Sequence, residues 1–426
     1  MKDKVVNSKL NSGMNIKSFI IIALAAFWSF SLAAQPYSVV IKGGHIIDPA
    51  NQLNGVMDIA IQGRKIVKIA KNIDTKVAGR IIQAKGLYVT PGLLDIHTHH
   101  FNGTKSGNEY ANGTLSLPAD AFSFRNGVTT VVDAGSSGWR NFPLFKSQTI
   151  DQSKTRVLAF LNIVGEGMRT AYEQELKDMD PVASARMAKQ YSEFIVGIKL
   201  AHYIGHNWTP TDRAVEAAKL AGGLPVMVDF GMSRPALSLE ELFLKHLRSG
   251  DIFTHCFGQL DGRESIMNLT TKKIKPFVWE ARKKGILFDV GHGSISFAFS
   301  QAIPAAKDGF FPDVISTDLH AGSVNYAMKD LLTTMAKFMA IGMDLKSVIK
   351  ATTVNAAKAI RRKELGNLSK GSEADIAIFS IRKGDFGLFD HVGYPVKIDK
   401  KLECELTLRA GRVVYDLNGI GGRTRW

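Results

Sequence analysis

The chain reads as an α/β protein: a (β/α)8 or TIM barrel flanked by a small composite β-sandwich that both ends of the chain build together. Two observations lead there. From residue 93 short runs rich in Val and Ile alternate with longer helical stretches, the pattern of repeated β/α units. Before and after that region, apolar and polar residues alternate between Gly and Asn turns, as in antiparallel strands.

Size and composition agree with that architecture. A chain of 426 residues exceeds most single cores, so one large barrel or two domains is expected. Hydrophobic residues make up 45% and charged residues 22%, ordinary globular usage that excludes a disordered chain. Cys256 and Cys404 are the only cysteines. Two cannot build a disulfide framework or a Cys-based zinc site, so any metal must be held by His, carboxylate or Lys chemistry.

The first element is a leader. Lys17 precedes FIIIALAAFWSFSLAA, an apolar run ending in small residues before Gln35-Pro36, which has the proportions of a secretory signal, with Met14 as an alternative start. Residues 1–34 are therefore expected to be removed, with cleavage near Ala33 or Ala34, delivering the protein to the periplasm with no stable membrane anchor. The run is shorter than the ~20 apolar residues of a spanning helix. The formal charge is +15, and removing residues 1–33 takes away Lys2, Lys4, Lys9 and Lys17 with Asp3, leaving about +12. The remaining Lys and Arg are scattered and form no basic helix, which argues against nucleic acid as a partner, and the basic surface is expected to attract acidic substrates or an anionic envelope.

Residues 35–92 form the first part of the sandwich (SVVIKGGHIIDP, DIAIQGRKIVKIA, RIIQAKGLYVTPG), and residues 366–426 the second (ADIAIFSIRKG, CELTLRAGRVVYDLNG). The barrel, residues 93–365, supplies eight strand candidates: LLDIHTH (93–99), VTTVVDAG (128–135), RVLAFLNIVG (156–165), FIVGIKLA (194–201), PVMVDFG (225–231), DIFTHCFG (251–258), ILFDVGHG (286–293) and VISTDL (314–319). Helical patterns such as PVASARMAKQYSEF, DRAVEAAKLAG, KIKPFVWEARKKG and MKDLLTTMAKFMAIG separate them.

Chemistry in such a barrel gathers at the C-terminal strand ends. Strand one ends in His97 and His99, strand four in Lys199, strand five in Asp229, strand six in His255, strand seven in His292 and strand eight in Asp318. One polar residue at a strand end is ordinarily a cap or a solvated group; six converging on ligand or proton-transfer types point to a metal site. In His97-Thr98-His99 side chains two apart share one side of a strand, so both imidazoles can grip one ion. Asp229 alone could cap, pair with a basic residue or hold a metal.

Taken together, VTPGLLDIHTHH, GIKLA, THCFGQ and ISTDLH resemble the amidohydrolase superfamily of metal-dependent hydrolases over residues 36–426. PGLLDIHTH with GHGSISF and ISTDLHAGS most resembles its dihydroorotase-like amidohydrolase and deacetylase branch. The resemblance implies two divalent ions, zinc or manganese. It makes His97, His99 and Asp318 ligands of the first ion, His255 a ligand of the second, and Lys199 a carboxylated bridge. The modification is chemically necessary, because a protonated lysine has no lone pair whereas its carbamate offers two oxygens. Asp318 is expected to shuttle the proton, with His292, Tyr203 and His202 near the substrate. His100 and His320 are expected to support the site from behind, and Cys256 to be a small buried hydrophobe.

Strand five departs from the pattern, which places a histidine where this chain has Asp229. An aspartate oxygen can ligate the same ions, but it adds a fourth negative charge against the four positive charges of two ions, predicting a weaker Lewis acid; the alternative is a single-ion site in which Asp229 acts on protons or holds a substrate amine. The implied activity is hydrolysis of an N-acyl amide or acetyl ester of a small, carboxylate-bearing compound. Opening of a cyclic amide and a non-catalytic scaffold of the same fold are the alternatives, and self-association into a homo-oligomer stays open.

Overall fold

A computed structural model describes residues 1, 36–229 and 231–422. The expected leader and its cleavage point therefore lie outside the described residues. Among the described residues no helix is long and apolar enough to cross a membrane.

Seven parallel strands follow one another in chain order around a curled sheet: Leu93–Thr98, Val128–Gly138, Arg156–Asn162, Ile195–Leu200, Val226–Val228, Ile252–Phe253 and Leu287–Phe288. The eighth segment, 314–319, is less regular than the alternation predicts. It joins its neighbours through isolated parallel bridges, Val314 to Asp289 and Leu319 to Thr98. Hydrogen bonds from Gly293 N to Thr317 O (2.7 Å) and from Asp318 N to His97 O (2.7 Å) close the ring on both sides.

Side chains take over part of that ladder. Asp95 of strand one accepts from Thr317 N at 3.0 Å, and Asp289 beyond strand seven accepts from Ser316 Oγ at 2.7 Å. Both acids are buried, so these bonds also satisfy carboxylates that burial would otherwise leave unpaired.

The four quoted helical patterns all form helices, Pro181–Gln190, Thr209–Leu220, Pro276–Lys284 and Leu331–Ala340. Two start on aspartate caps: Asp180 accepts from Val182 N and Ala183 N ahead of a proline, and Asp330 accepts from Thr333 N. A buried cluster with Leu94, Ile96, Val132, Phe160, Met227, Ile252 and Val314 fills the ring and packs on the small residues of helix Val354–Ala359.

The two ends do meet, in one continuous eight-stranded sheet. Its order is Arg412–Asp416, Pro395–Arg409, Ile376–Phe389, Tyr88–Pro91, Val39–Asp48, Leu53–Gln62 and Lys65–Ala70, with Ile81–Gln83 paired to Val39–Asp48. The seam is antiparallel, Ile376 opposite Pro91 and Phe379 opposite Tyr88. Ile41, Ile59, Ile61, Val89, Ile376 and Leu406 from across the sheet share one core. The hairpin of Ile376–Phe389 and Pro395–Arg409 is longer than its sequence runs suggested, and its outer half places Leu388, Leu402 and Cys404 in the barrel's own core.

Candidate metal centre

The strand ends surround a small cavity of about 90 Å³ that includes His97, His99, His202, Asp229, His255 and Asp318 in its lining. Three side chains bring ligand atoms within 4.8 Å of one another: His97, His99 and Asp318. His99 Nε2 lies 3.0 Å from Asp318 Oδ1 and His97 Nε2 3.6 Å from the same oxygen.

Hydrogen bonding fixes which nitrogen of His97 carries the proton. Thr254 donates its hydroxyl proton to Asp289 Oδ2 at 2.7 Å, so its oxygen is left to accept from His97 Nδ1 at 2.9 Å. His97 therefore presents a bare Nε2 lone pair to the cavity, the tautomer that a metal requires. Burial, reinforced by neighbouring Lys199, pushes its pKa down to about 3 and keeps the ring neutral. His99 Nδ1 lies 2.9 Å from Ser136 Oγ, a hydroxyl able to donate or accept, and this contact orients the ring with Nε2 toward Asp318.

His255 repeats the arrangement on strand six. Its Nδ1 meets the carbonyl of Gly291, which can only accept, so Nε2 is again the bare atom. That atom faces Asp229 Oδ2 at 3.2 Å. With the ring neutral, Nε2 and Oδ2 are both acceptors, a pair that a cation between them would satisfy, and in this way the donor set fits a second ion at Asp229 and His255.

Lys199 is fully buried, with Nζ 3.1 Å from His97 Nε2 and 3.6 Å from Met227 Sδ. Burial lowers its pKa, favouring the neutral amine. Gly135, at φ +90°, makes room for it: a Cβ there would stand 2.6 Å from the lysine Cγ.

His202 lines the cavity as expected, between two acids, with Nδ1 2.9 Å from Glu173 Oε1 and Nε2 3.3 Å from Asp229 Oδ2. Burial alone would lower it, but the two carboxylates prevail and raise it to about 9. The ring is a cation at neutral pH.

Three expectations are corrected. His292 is not part of the cavity lining: Gly291 and Gly293, at φ +46° and +54°, reverse the chain around it. Its ring stacks on Phe297 and contacts Lys337 Nζ at 2.6 Å through Nε2. Tyr203 is also outside the lining, its hydroxyl accepting from Asn207 Nδ2 at 2.8 Å. His320, expected behind the site, lines it: Asp318 stands at φ +52°, which breaks the strand alternation on which that expectation rested. His100 does stay behind, its Nδ1 bonded to Leu117 O at 2.7 Å, and Cys256 is a buried free thiol in the barrel core.

Sequence reasoning missed Tyr110, Arg169 and Arg263, which also line the cavity. All three lie in segments between strands, where no strand-end register points to them. Arg263 bears directly on the charge count, since its Nη2 reaches Asp229 Oδ1 at 3.3 Å.

The amidohydrolase family model matches residues 293–414. The chain is 33% identical over 390 residues to a deacetylase of Enterococcus faecalis, covering 89% of this chain and 99% of that one. It is 34% identical over 352 residues to a deacetylase of Brucella anthropi, covering 79% and 82%. A crystal structure of an adenine deaminase superposes with a TM-score of 0.80 at 30% identity, covering 89% of this chain and all of that one. Matching sequence over nearly the whole described barrel and sandwich, together with paired histidines and an aspartate converging at the strand ends, has one reading: the chain belongs to the amidohydrolase family.

Proposed function

We propose that the protein is a metal-dependent deacetylase that hydrolyses the acetyl group from an N-acetyl amide or acetyl ester of a small carboxylate-bearing compound. The observation that carries this is Nε2 of His97 and of His99 turned onto one oxygen of Asp318 at the mouth-side end of the barrel. The likeness to two deacetylases supports the acetyl group as the one removed.

His97, His99 and Asp318 would hold one divalent ion, and His255, Asp229 and a Lys199 carbamate the second, zinc or manganese in either place. Bound there, such ions supply Lewis acidity that acidifies the attacking water and polarises the acyl carbonyl. Everything else falls to the chain. Asp318 takes the proton of the attacking water and passes it to the departing nitrogen or oxygen, which requires a carboxylate that is ionised before attack. Burial alone would raise its pKa, but the imidazoles of His97, His99 and His320 packed around the carboxylate outweigh that and hold it well below the usual range. Arg169, about half exposed, lines the cavity and is suited to a substrate carboxylate. The small cavity admits a compact acyl group and little water.

Turnover of a panel tests this: N-acetyl amino acids of both hands and acetylated hydroxy acids, against dihydroorotate, hydantoin and adenine. Turnover confined to the rings would sink the deacetylase reading. Asp318→Asn should cut kcat by roughly 10²–10⁴ on the best substrate, the range for a proton-transfer group. We further read residues 1–34 as a secretory signal delivering the enzyme to the periplasm, which fractionation of expressing cells would check.

A further inference from the structure

Arg263 enters the cavity wall from the segment after strand six, and none of the steps above uses it. Its side chain is 3% exposed, and a guanidinium does not lose its proton in a protein. Nη2 meets Asp229 Oδ1 at 3.3 Å, while Nε and Nη1 find no partner among the described residues. Among the described residues Asp229 is therefore its one carboxylate contact.

The passage of the side chain is shaped by glycine. At Gly231, φ +141°, a Cβ would stand 3.1 Å from Cβ and Cγ of Arg263, and at Gly258 3.4 Å from its Nη1. From the other side the guanidinium lies over the Phe253 ring, 5.4 Å from its centroid. A buried cation held this closely beside one acid is compensated by that acid and is left unpaired without it.

We infer that Asp229 and Arg263 form one neutral ligand unit: the guanidinium holds Oδ1, leaving Oδ2, which also faces the His202 cation whose own charge Glu173 matches, to share the second ion with Nε2 of His255. The inference rests on the two-ion reading above. It reverses the charge count taken from the sequence. Asp229 alone would bring four negative charges against four positive ones, but paired with Arg263 it supplies an oxygen donor at no net charge, so the ions keep one excess positive charge and the stronger Lewis acidity.

The ion content of the full chain, purified without chelator and loaded with zinc, tests the pairing. Wild type should hold two ions. Asp229→His should hold one, because Arg263 then stands unpaired beside the second site, and the double variant Asp229→His/Arg263→Gln should regain two. Circular dichroism and thermal melting establish that each variant is folded. Two ions in Asp229→His overturn the unit while leaving the two-ion reading intact; one ion in wild type overturns both. Arg263→Gln by itself keeps a donor for Oδ1 but drops the charge. A competing chelator should then strip the second ion about tenfold more slowly than from wild type, and an unchanged rate also overturns the unit.

Discussion

Lys199 Nζ sits 3.1 Å from the ligand nitrogen of His97, fully buried, and makes no ion pair among the described residues. A buried ammonium without a carboxylate partner is costly, and burial accordingly lowers the lysine's pKa. The neutral amine has the lone pair needed to add carbon dioxide, forming an N–C bond and releasing the proton that leaves a carbamate. Lys199→Ala should lose at least roughly 100-fold in kcat/KM together with bound metal. Isotopically labelled bicarbonate should give a carbamate NMR signal in wild type that the variant lacks. A short carboxylic acid should restore part of the variant's activity, and full metal content without the signal would contradict the assignment.

Gly291 wedges between His97 and His255. It lies at φ +46°, and a Cβ there would stand 2.3 Å from Thr254 Oγ1, 2.8 Å from His255 Nδ1 and 2.9 Å from His97 Nδ1. Gly291→Ala should cost about 1–3 kcal/mol of stability from strain and overpacking. Its effect on metal should be larger, because both imidazoles must move. Ion analysis and thermal melting would separate the two effects, and a variant that kept its ions would show that His97 and His255 tolerate displacement.

Lys337 predicts a dependence of stability on pH. Burial pushes its amine down to about 7, while Nζ contacts His292 Nε2 at 2.6 Å and Ala327 O at 2.8 Å. In the unfolded chain the same amine titrates near ~10.4. Between those values the unfolded state binds the extra proton, so this contribution to stability is present above the unfolded pKa and is lost as pH falls toward 7. From pH 7 to 9 the gain is on the order of 2 kcal/mol. Urea unfolding of wild type and Lys337→Met at both pH values checks it: the difference between the two proteins should shift by that amount, and a constant difference would remove Lys337 as the cause.

Much of the site was legible because period two and chain order are local properties. Each apolar run ends where a strand must end, so His97, His99, Lys199, His255 and Asp318 could be placed at one mouth before any contact was known. The same logic failed at His292, where Gly291 and Gly293 take positive φ and turn the ring onto Phe297 and Lys337. It also missed how strand eight is held, since Asp95 and Asp289 bond to Thr317 and Ser316 from far along the chain.

What the sequence by itself determined is the barrel, the sandwich shared by both ends, and which polar residues stand at the strand ends, all consequences of periodicity and spacing. What only the tertiary structure decided is the protonation and charge of those ends. Thr254 and Gly291 leave a bare nitrogen on His97 and His255, and Arg263 joins Asp229 across 34 residues. A charge is compensated by whatever lies within a few ångströms of it, and in a folded barrel that neighbour is set by packing and not by order along the chain.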